Sequence, residues 1–284
     1  MSAGTVLTRR EVETSVQALR PLPQAVSRLV ELMEHETATL TEAESLLQSE
    51  PVLCGRVLQV ANSAYYGMPR GVSSIRQALI LLGAHAVKGI ALSVAAVNSV
   101  RDGRAPTPQE RDLWRHAITV AGYAQGVARA CRLGTQAVED AYIAGLLHDI
   151  GALLLLTRFP KQFSPILQAG DEPSGLQRER ELFGYDHADI GAMIAEHWKL
   201  PERIVRVIGE HHAPCLPEGD IRLLTAAVMQ ADLWDAEKRG APVSTSAYPR
   251  AELSELIRID EAAAAEMRQQ VDESVDTLCD LLLG

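Results

Sequence analysis

Residues 144–156 read Ala-Gly-Leu-Leu-His-Asp-Ile-Gly-Ala-Leu-Leu-Leu-Leu, so the ionisable pair His148 and Asp149 lies in an otherwise apolar segment. The spacing predicts one helix over 136–157, apolar nearly all round, which is typical of a helix buried in a core. A buried ionisable pair without partners costs on the order of several kcal/mol. We therefore expect side chains from other helices, or a bound ion, to neutralise this pair.

The rest of the chain also shows helical periodicity, and alternating strand patterns are absent. An N-terminal amphipathic helix ends at Pro21–Pro23. Further helices are predicted near 24–36, 51–61, 74–82, 84–100, 108–132, 176–183, 187–198, 202–211, 222–238 and 260–283. Thr41 and Glu44 form a capping-box pattern that predicts one more helix start between 36 and 51. The fold class is therefore all-α, with two helical lobes.

Composition changes at a polar hinge over 101–108, because all fourteen aspartates lie at position 102 or later. We predict an N-terminal extension over 1–20, a first lobe over 21–102, a second lobe over 103–240, and a linker with a C-terminal helix over 241–284. The last helix carries an apolar stripe at three- and four-residue steps. Packing on the same chain is the default, and a homodimer seam is the alternative.

Composition excludes several classes of protein. The chain has 284 residues, 47% of them hydrophobic, and a net charge of −10, which argues against a nucleic-acid partner. Its four cysteines form no CxxC pair, so neither a zinc knuckle nor a disulfide framework is indicated. No signal-peptide core and no uninterrupted apolar run of about 18 residues is present, so we expect a soluble, cytoplasmic protein without a membrane span.

Several histidines and acids accompany the central pair at positions that could converge on it. These are His116, His187, His211, His212 and Asp232, with Asp112 one helical turn before His116. Imidazole and carboxylate groups suit Fe, Mn, Zn or Ni. Adjacent residues on a helix point about 100° apart, so His148 and Asp149 cannot easily chelate one ion. A carboxylate shared between two ions would resolve that geometry.

A hydrogen-bonded core network is the other interpretation of the same residues. His148 could bond a carbonyl group, Asp149 could accept from backbone N–H groups, and His116 could pair with Asp232. The residues alone leave the network and the bound metal as alternatives.

The order of short motifs resembles the HDOD domain, a bacterial signalling relative of the HD-domain phosphohydrolases. In the first half the matching segments are Leu22-Pro23, 48–51 (Gln-Ser-Glu-Pro), 57–63 (Val-Leu-Gln-Val-Ala-Asn-Ser), 74–78 (Ser-Ile-Arg-Gln-Ala) and Leu82-Gly83. In the second half they are 114–116 (Trp-Arg-His), 145–151 (Gly-Leu-Leu-His-Asp-Ile-Gly), 186–191 (Asp-His-Ala-Asp-Ile-Gly), Leu200-Pro201 and His211-His212. The resemblance covers roughly 20–235. It implies an N-terminal HDOD helical bundle packed on an HD-like bundle.

The second lobe also resembles the HD-GYP branch, whose members hydrolyse cyclic di-GMP with bound metals. That resemblance implies metal ligands at His116, His148, Asp149, His187, His211, His212 and Asp232, with Asp112 where an extra carboxylate can occur. The lysine that meets phosphate in that branch is replaced by Ala152, and the Gly-Tyr-Pro motif is missing. Losing a fixed positive charge where phosphoryl charge develops weakens catalysis.

These features together favour a non-enzymatic signalling protein. The resemblance implies that it acts through protein partners, including those of cyclic di-GMP pathways, and keeps an HD-like pocket that can bind a divalent metal. The alternatives are a metal-dependent phosphodiesterase and a nucleotide sensor without turnover.

Overall fold

The computed structural model of the protein describes residues 9–34, 39–101, 103–169, 172–240 and 249–283. Within these ranges the regular structure is helical, which confirms the predicted all-α class. The predicted linker after Gly240 falls on 241–248, outside the described residues, as do the first eight residues and the end of the predicted helix 24–36.

Among its described residues, the first lobe has five α-helices, α2 to α6, and a 3-10 turn at Ala64–Tyr66, and it is preceded by α1. Their bounds are α1 Arg9–Gln17, α2 Gln24–Glu34, α3 Leu40–Gln48, α4 Pro51–Ala61, α5 Ile75–Leu81 and α6 Ala84–Arg101. Pro51 begins α4, where its missing N–H costs no helical hydrogen bond. Helix α1 packs on α9 and α12 of the second lobe.

The second lobe contains α7 to α14 and the elements that follow. Their bounds are α7 Pro108–Ala130, α8 Thr135–Leu147, α9 Ile150–Arg158, α10 Pro160–Ala169, α11 Glu172–Phe183, α12 His187–His197, α13 Glu202–Glu210, α14 Arg222–Lys238, α15 Arg250–Leu256 and α16 Glu261–Leu283. Helices α7 and α8 form its centre, and α6 of the first lobe packs against α8. One hydrophobic core therefore runs through both lobes.

The single helix predicted over 136–157 is wrong. The structure has two helices, α8 and α9, which are separated at His148 and Asp149. Asp149 has φ −98° and ψ 16°, outside the helical region, so the chain changes direction at this residue. Helices α10 and α15 were also missed, since the first contains Pro165 and the second is a short helix.

Helix α16 buries its apolar stripe against the same chain. Val271 and Met267 lie over Gly122 and Gly126 of α7, where an added Cβ would meet Val271 Cγ1 at 2.6 Å and Met267 Sδ at 1.9 Å. The glycines thus allow the two helices to approach closely. The homodimer seam stays a prediction, and the default packing on the same chain accounts for the stripe.

Residues Thr135–Arg158, which span α8 and α9, are long and apolar enough to cross a membrane by length and composition alone. In the folded chain, however, 94% of this apolar window is buried inside the protein. The same apolar character is what the centre of the second lobe requires.

Candidate metal centre

Five segments of the second lobe bring imidazole and carboxylate groups to one place. His116 lies on α7, His148 and Asp149 join α8 to α9, His187 begins α12, His211 and His212 follow α13, and Asp232 lies on α14. All of these side chains are buried except those of His212 and Asp149, which are partly buried. The convergence that the sequence predicted is therefore present.

The break between α8 and α9 lets adjacent residues serve one site. His148 is the C-cap residue of α8, and Asp149 is the N-cap residue of α9. On a continuous helix their side chains would diverge by about 100°. In the structure His148 Nε2 and Asp149 Oδ2 are 3.6 Å apart.

The first group of ligand atoms gathers around one oxygen of Asp149. His116 Nε2 lies 3.1 Å from His148 Nε2 and 3.4 Å from Asp149 Oδ2. Asp232 Oδ1 is 3.3 Å from the same His116 nitrogen and 4.0 Å from His148 Nε2. Two imidazoles and two carboxylates therefore present their donor atoms to a common point.

The second group gathers around the other oxygen of the same carboxylate. His187 Nε2 lies 3.2 Å from Asp149 Oδ1, and His211 Nε2 lies 3.7 Å from it. His212 Nε2 is 3.0 Å from His187 Nε2. The four ligand atoms of Asp149, His187, His211 and His212 lie within 4.8 Å of one another, as do those of His116, His148 and Asp149.

Four of the histidines are held by their other ring nitrogen. His148 Nδ1 bonds the carbonyl oxygen of Gly145 at 2.7 Å, and His211 Nδ1 bonds that of Ile208 at 2.6 Å. A carbonyl oxygen only accepts, so each Nδ1 carries the proton and donates. Each Nε2 is then directed at the site, the arrangement that metal-binding histidines usually show.

Two acidic side chains that sequence reasoning missed orient the remaining pair. Asp235 Oδ2 is 2.7 Å from His116 Nδ1, and Glu179 Oε2 is 2.9 Å from His187 Nδ1. Asp235 could have been found, because it follows Asp232 by three residues on one predicted helix. Glu179 gave no such signal, since it reaches His187 only after the chain turns between α11 and α12.

The electrostatics of the site separate its histidines into two kinds. Burial lowers the pKa of His148 to about 4, even with Asp149 nearby. Burial also lowers the pKa of His212, and the neighbouring His211 and His187 lower it further. These two imidazoles are neutral at pH 7, which is the form that binds metal.

The carboxylates act in the opposite direction on the other two histidines. Burial alone would lower the pKa of His116, but hydrogen bonds to Asp149 and the other acids raise it well above its ordinary value. Burial alone would likewise lower the pKa of His187, but the negative charge of Glu179 outweighs this effect and raises the pKa above its ordinary value. Burial would raise the pKa of Asp149, but the neighbouring His148 and the hydrogen bonds with His116 and His187 outweigh it and hold that pKa well below its usual range.

The chemistry of the donor set fits a pair of divalent ions better than a closed hydrogen-bond network. His211 Nε2 is fully buried and has no hydrogen-bond partner among the described residues. His148 Nε2 also carries a lone pair, because the proton of that imidazole is on Nδ1, and it faces the same space as His116 Nε2 and Asp149 Oδ2. Metal ions would satisfy all of these lone pairs at once.

Asp112 is not part of either group. Its side chain is exposed on the wall of the adjacent cavity, one turn before His116. Ala152, which stands where the HD-GYP branch has a lysine, also lines that cavity.

A cavity of about 800 Å³ opens onto the site. His116, Asp149, His187, His212 and Asp232 all lie in its wall, together with apolar residues of α10 and α11. Cavities of this size hold ligands as large as a drug or a nucleotide. The candidate metal centre is therefore reachable by a small molecule.

Comparison with known proteins identifies relatives along most of the chain. The HDOD domain profile matches residues 19–214. An uncharacterized protein of Treponema pallidum (strain Nichols) is 30% identical over 205 residues, which are 69% of this chain and 39% of that protein. The chain thus spans well under half the length of that relative.

Two solved structures resemble the whole fold. An HDOD domain protein of unknown function from Geobacter sulfurreducens is 28% identical, with 96% of each chain covered and a TM-score of 0.78. A protein from Shewanella amazonensis SB2B, named as a candidate phosphohydrolase, is 26% identical, with 95% of this chain and 97% of that chain covered and a TM-score of 0.72.

Proposed function

Because this chain belongs to the HDOD domain family, we propose that it is a regulatory protein of a signalling pathway, with two divalent metal ions in its second lobe. In this proposal the chain acts through contact with a protein partner rather than through turnover. The observation that supports the metal centre is the Asp149 carboxylate, whose Oδ1 faces His187 at 3.2 Å and whose Oδ2 faces His116 at 3.4 Å. One carboxylate placed between two sets of imidazoles is the arrangement that a pair of cations requires.

The residues that would hold the ions follow from the two groups. His116, His148, Asp149 and Asp232 would hold one ion, and His187, His211, His212 and the same Asp149 would hold the other. The mixture of nitrogen and oxygen donors suits Mn, Fe, Zn or Ni. Divalent ions, when bound, polarise phosphoryl oxygens as Lewis acids.

The absence of turnover is supported by the residues around the centre. Ala152 gives the cavity no fixed positive charge beside the two groups. The rim cation Arg239 donates from Nε to Asp235 Oδ2 at 2.6 Å, so its charge supports His116 through that carboxylate. By analogy with the family, the partner we propose is a signalling protein, with cyclic di-GMP pathways as the first place to look.

Hydrolysis of a phosphodiester such as cyclic di-GMP is the second candidate function. The observation that favours it is the cavity of about 800 Å³, through which 14% of the Asp149 side chain remains exposed. A nucleotide bound there without turnover would make the chain a sensor. Both versions need the same metal centre, so its occupancy is tested first.

The first experiment measures the metal content of purified protein by elemental analysis. We expect about two divalent ions per chain in the wild type, and almost none in the Asp149→Ala variant, because that carboxylate serves both groups. Asp112→Asn is the matched control, since it changes a carboxylate in the same cavity wall that belongs to neither group. Fewer than one ion per chain in the wild type would overturn the metal centre.

The second experiment assays the Mn-loaded protein on bis(4-nitrophenyl) phosphate and on cyclic di-GMP. Metal without turnover supports the regulatory function. Turnover that is kept in Asp112→Asn and lost in His187→Ala would establish the phosphodiesterase instead. His187→Ala is preferred here because it removes a ligand of one group and leaves Asp149 in place.

A further inference from the structure

The rim of the cavity carries two cations that have no part in the metal centre. Arg115 on α7 and Lys238 at the end of α14 both line the cavity wall, next to residues of the two ligand groups. Both side chains are about half exposed. Arginine and lysine are the side chains that most often recognise phosphate groups in proteins.

Both cations are paired with acids of one element, the C-terminal helix α16. Arg115 forms an ion pair with Asp276, and Lys238 Nζ lies 2.7 Å from Asp272 Oδ1. Asp272 and Asp276 line the same cavity. The matched HDOD region ends at residue 214, so these two acids come from a part of the chain outside it.

The ion pairs are exposed enough to be exchanged. About 69% of the Asp276 side chain and 30% of the Asp272 side chain remain accessible. Exposed ion pairs of this kind contribute little to stability, because water screens them and ordering the side chains costs entropy. A terminal phosphate carries about two negative charges and three acceptor oxygens, more than a carboxylate, so it competes well for the same cations.

Helix α16 does not depend on these pairs for its position. Val271 lies against Gly122, and Val275 and Leu278 are buried in the core shared by both lobes. Asp272 and Asp276 lie on the side of the helix that faces the cavity. The carboxylates of Asp272 and Asp276 can therefore release the two cations while helix α16 stays packed against the core.

We propose that Arg115 and Lys238 bind a phosphate group of an extended phosphate ester whose other phosphate reaches the metal centre, and that Asp276 and Asp272 of α16 are internal competitors for that ligand. The inference rests on the proposed metal centre and adds to it a ligand class and an autoinhibitory contact. Cations on the rim take over the phosphate contact that Ala152 cannot make.

The test compares the binding of two probes by isothermal titration calorimetry. The probes are the 5′-phosphorylated dinucleotide pApA, which can reach both the centre and the rim, and inorganic phosphate, which can occupy only one of them at a time. For Asp272→Asn/Asp276→Asn we expect pApA to bind about three- to tenfold more tightly than to the wild type, the range that corresponds to two exposed ion pairs. Inorganic phosphate should change by less than twofold.

A matched control separates competition from a general change of charge. Asp280 lies one turn after Asp276 and pairs with Arg111 Nη1 at 2.6 Å, and neither residue lines the cavity. Asp280→Asn therefore removes an equivalent pair between α16 and α7, and it should leave pApA binding unchanged. Equal tightening in this control would overturn the competition.

The cations are tested in the same cycle. The double variant Arg115→Gln/Lys238→Gln should bind pApA about tenfold more weakly than the wild type. Adding Asp272→Asn and Asp276→Asn to this variant should not tighten its binding of pApA. An unchanged dissociation constant for pApA in either double variant, or no binding to any variant, would overturn the inference.

The failure of this inference and that of the metal centre can be told apart, because metal content is measured on every sample. Two ions per chain with equal pApA affinities would overturn the rim site alone. If no sample holds metal, the metal centre fails, and the rim is then judged by whether Asp272→Asn/Asp276→Asn still binds pApA more tightly than the wild type.

Discussion

The backbone of Gly151 packs closely against the backbone carbonyl group of His187. A Cβ added to Gly151 would be 2.0 Å from that oxygen and 2.8 Å from the backbone nitrogen of Gly191. This contact places the start of α9, with His148 and Asp149 just before it, against the start of α12. The close approach of two backbones therefore sets the distance between the two groups of side chains in the candidate metal centre.

The first prediction follows from this contact. Gly151→Ala should destabilise the protein by about 3 kcal/mol or more, because backbone atoms cannot yield to the new methyl group as a flexible side chain would. Chemical denaturation followed by circular dichroism measures the change.

Gly55→Ala is its control, since Gly55 is a helical glycine with nothing within 4 Å of the added Cβ. This variant should be more stable than the wild type by about 0.5–1 kcal/mol. A similar loss in both variants would show that the backbone contact is not the cause.

The second prediction concerns Glu179, which holds His187 through Nδ1 at 2.9 Å and through its backbone nitrogen at 2.6 Å. Glu179→Gln should lower the affinity of the second metal site about 10- to 100-fold, the usual effect of losing a partner that orients a ligand. Competition with a chromophoric chelator measures this affinity. Glu181→Gln, on the exposed side of the same helix, should leave the affinity unchanged, and an equal loss there would contradict the prediction.

The third prediction is a pH dependence that arises from Glu139. This side chain is buried where the lobes meet, and burial raises its pKa to about 6. An unfolded glutamate has a pKa of about 4.3, so the folded state binds the proton more tightly. The contribution of Glu139 to stability is therefore greatest below about pH 4, and it is lost as the pH rises through about 6.

Glu139→Gln should remove this dependence and keep the bond from Gln125 Nε2, which is 3.0 Å long. Relative to the wild type, the variant should gain about 2 kcal/mol in free energy of unfolding between pH 4 and pH 7.5. Urea denaturation at the two pH values measures the difference. If the free energies of unfolding of the two proteins differ by the same amount at both pH values, the pKa of Glu139 is not raised by folding and the prediction is wrong.

The fourth prediction concerns Arg203, which joins the two lobes. Its Nε lies 2.5 Å from Asp140 Oδ2 on α8, and its Nη2 lies 2.7 Å from Glu34 Oε1 on α2. The carboxylate of Asp140 is 2% exposed, and its second cation, Lys88, is 3.8 Å away. Arg203→Met should therefore cost about 3 kcal/mol in free energy of unfolding, because a buried charge loses its closer partner.

Arg206→Met is the control for Arg203, since Arg206 pairs with Glu210 one turn away on the surface of the same helix. It should change stability by less than about 0.5 kcal/mol. Thermal and urea denaturation of both variants give the comparison. Equal effects would mean that the bridge between the lobes contributes no more than an exposed pair.

Much of the architecture could be predicted from the sequence. Apolar spacing gave the helices from α4 to α7 nearly to the residue, because proline and polar N-cap residues mark their ends. The ligand residues could be nominated because ionisable side chains in an apolar segment need partners. Asp112 shows the limit of that reasoning, since its i, i+4 spacing to His116 places it near the centre but does not turn its carboxylate inward.

By itself, the sequence determined that the chain is helical, that His148 and Asp149 lie in an apolar segment, and that other polar groups must meet them. Only the tertiary structure decided that α8 ends at this pair, that Asp149 faces both groups, and that Glu179 and Asp235 orient the histidines. The physical reason is that periodicity records which side of a helix is apolar. The direction of a polar side chain is instead set by its contacts with residues that are distant in sequence.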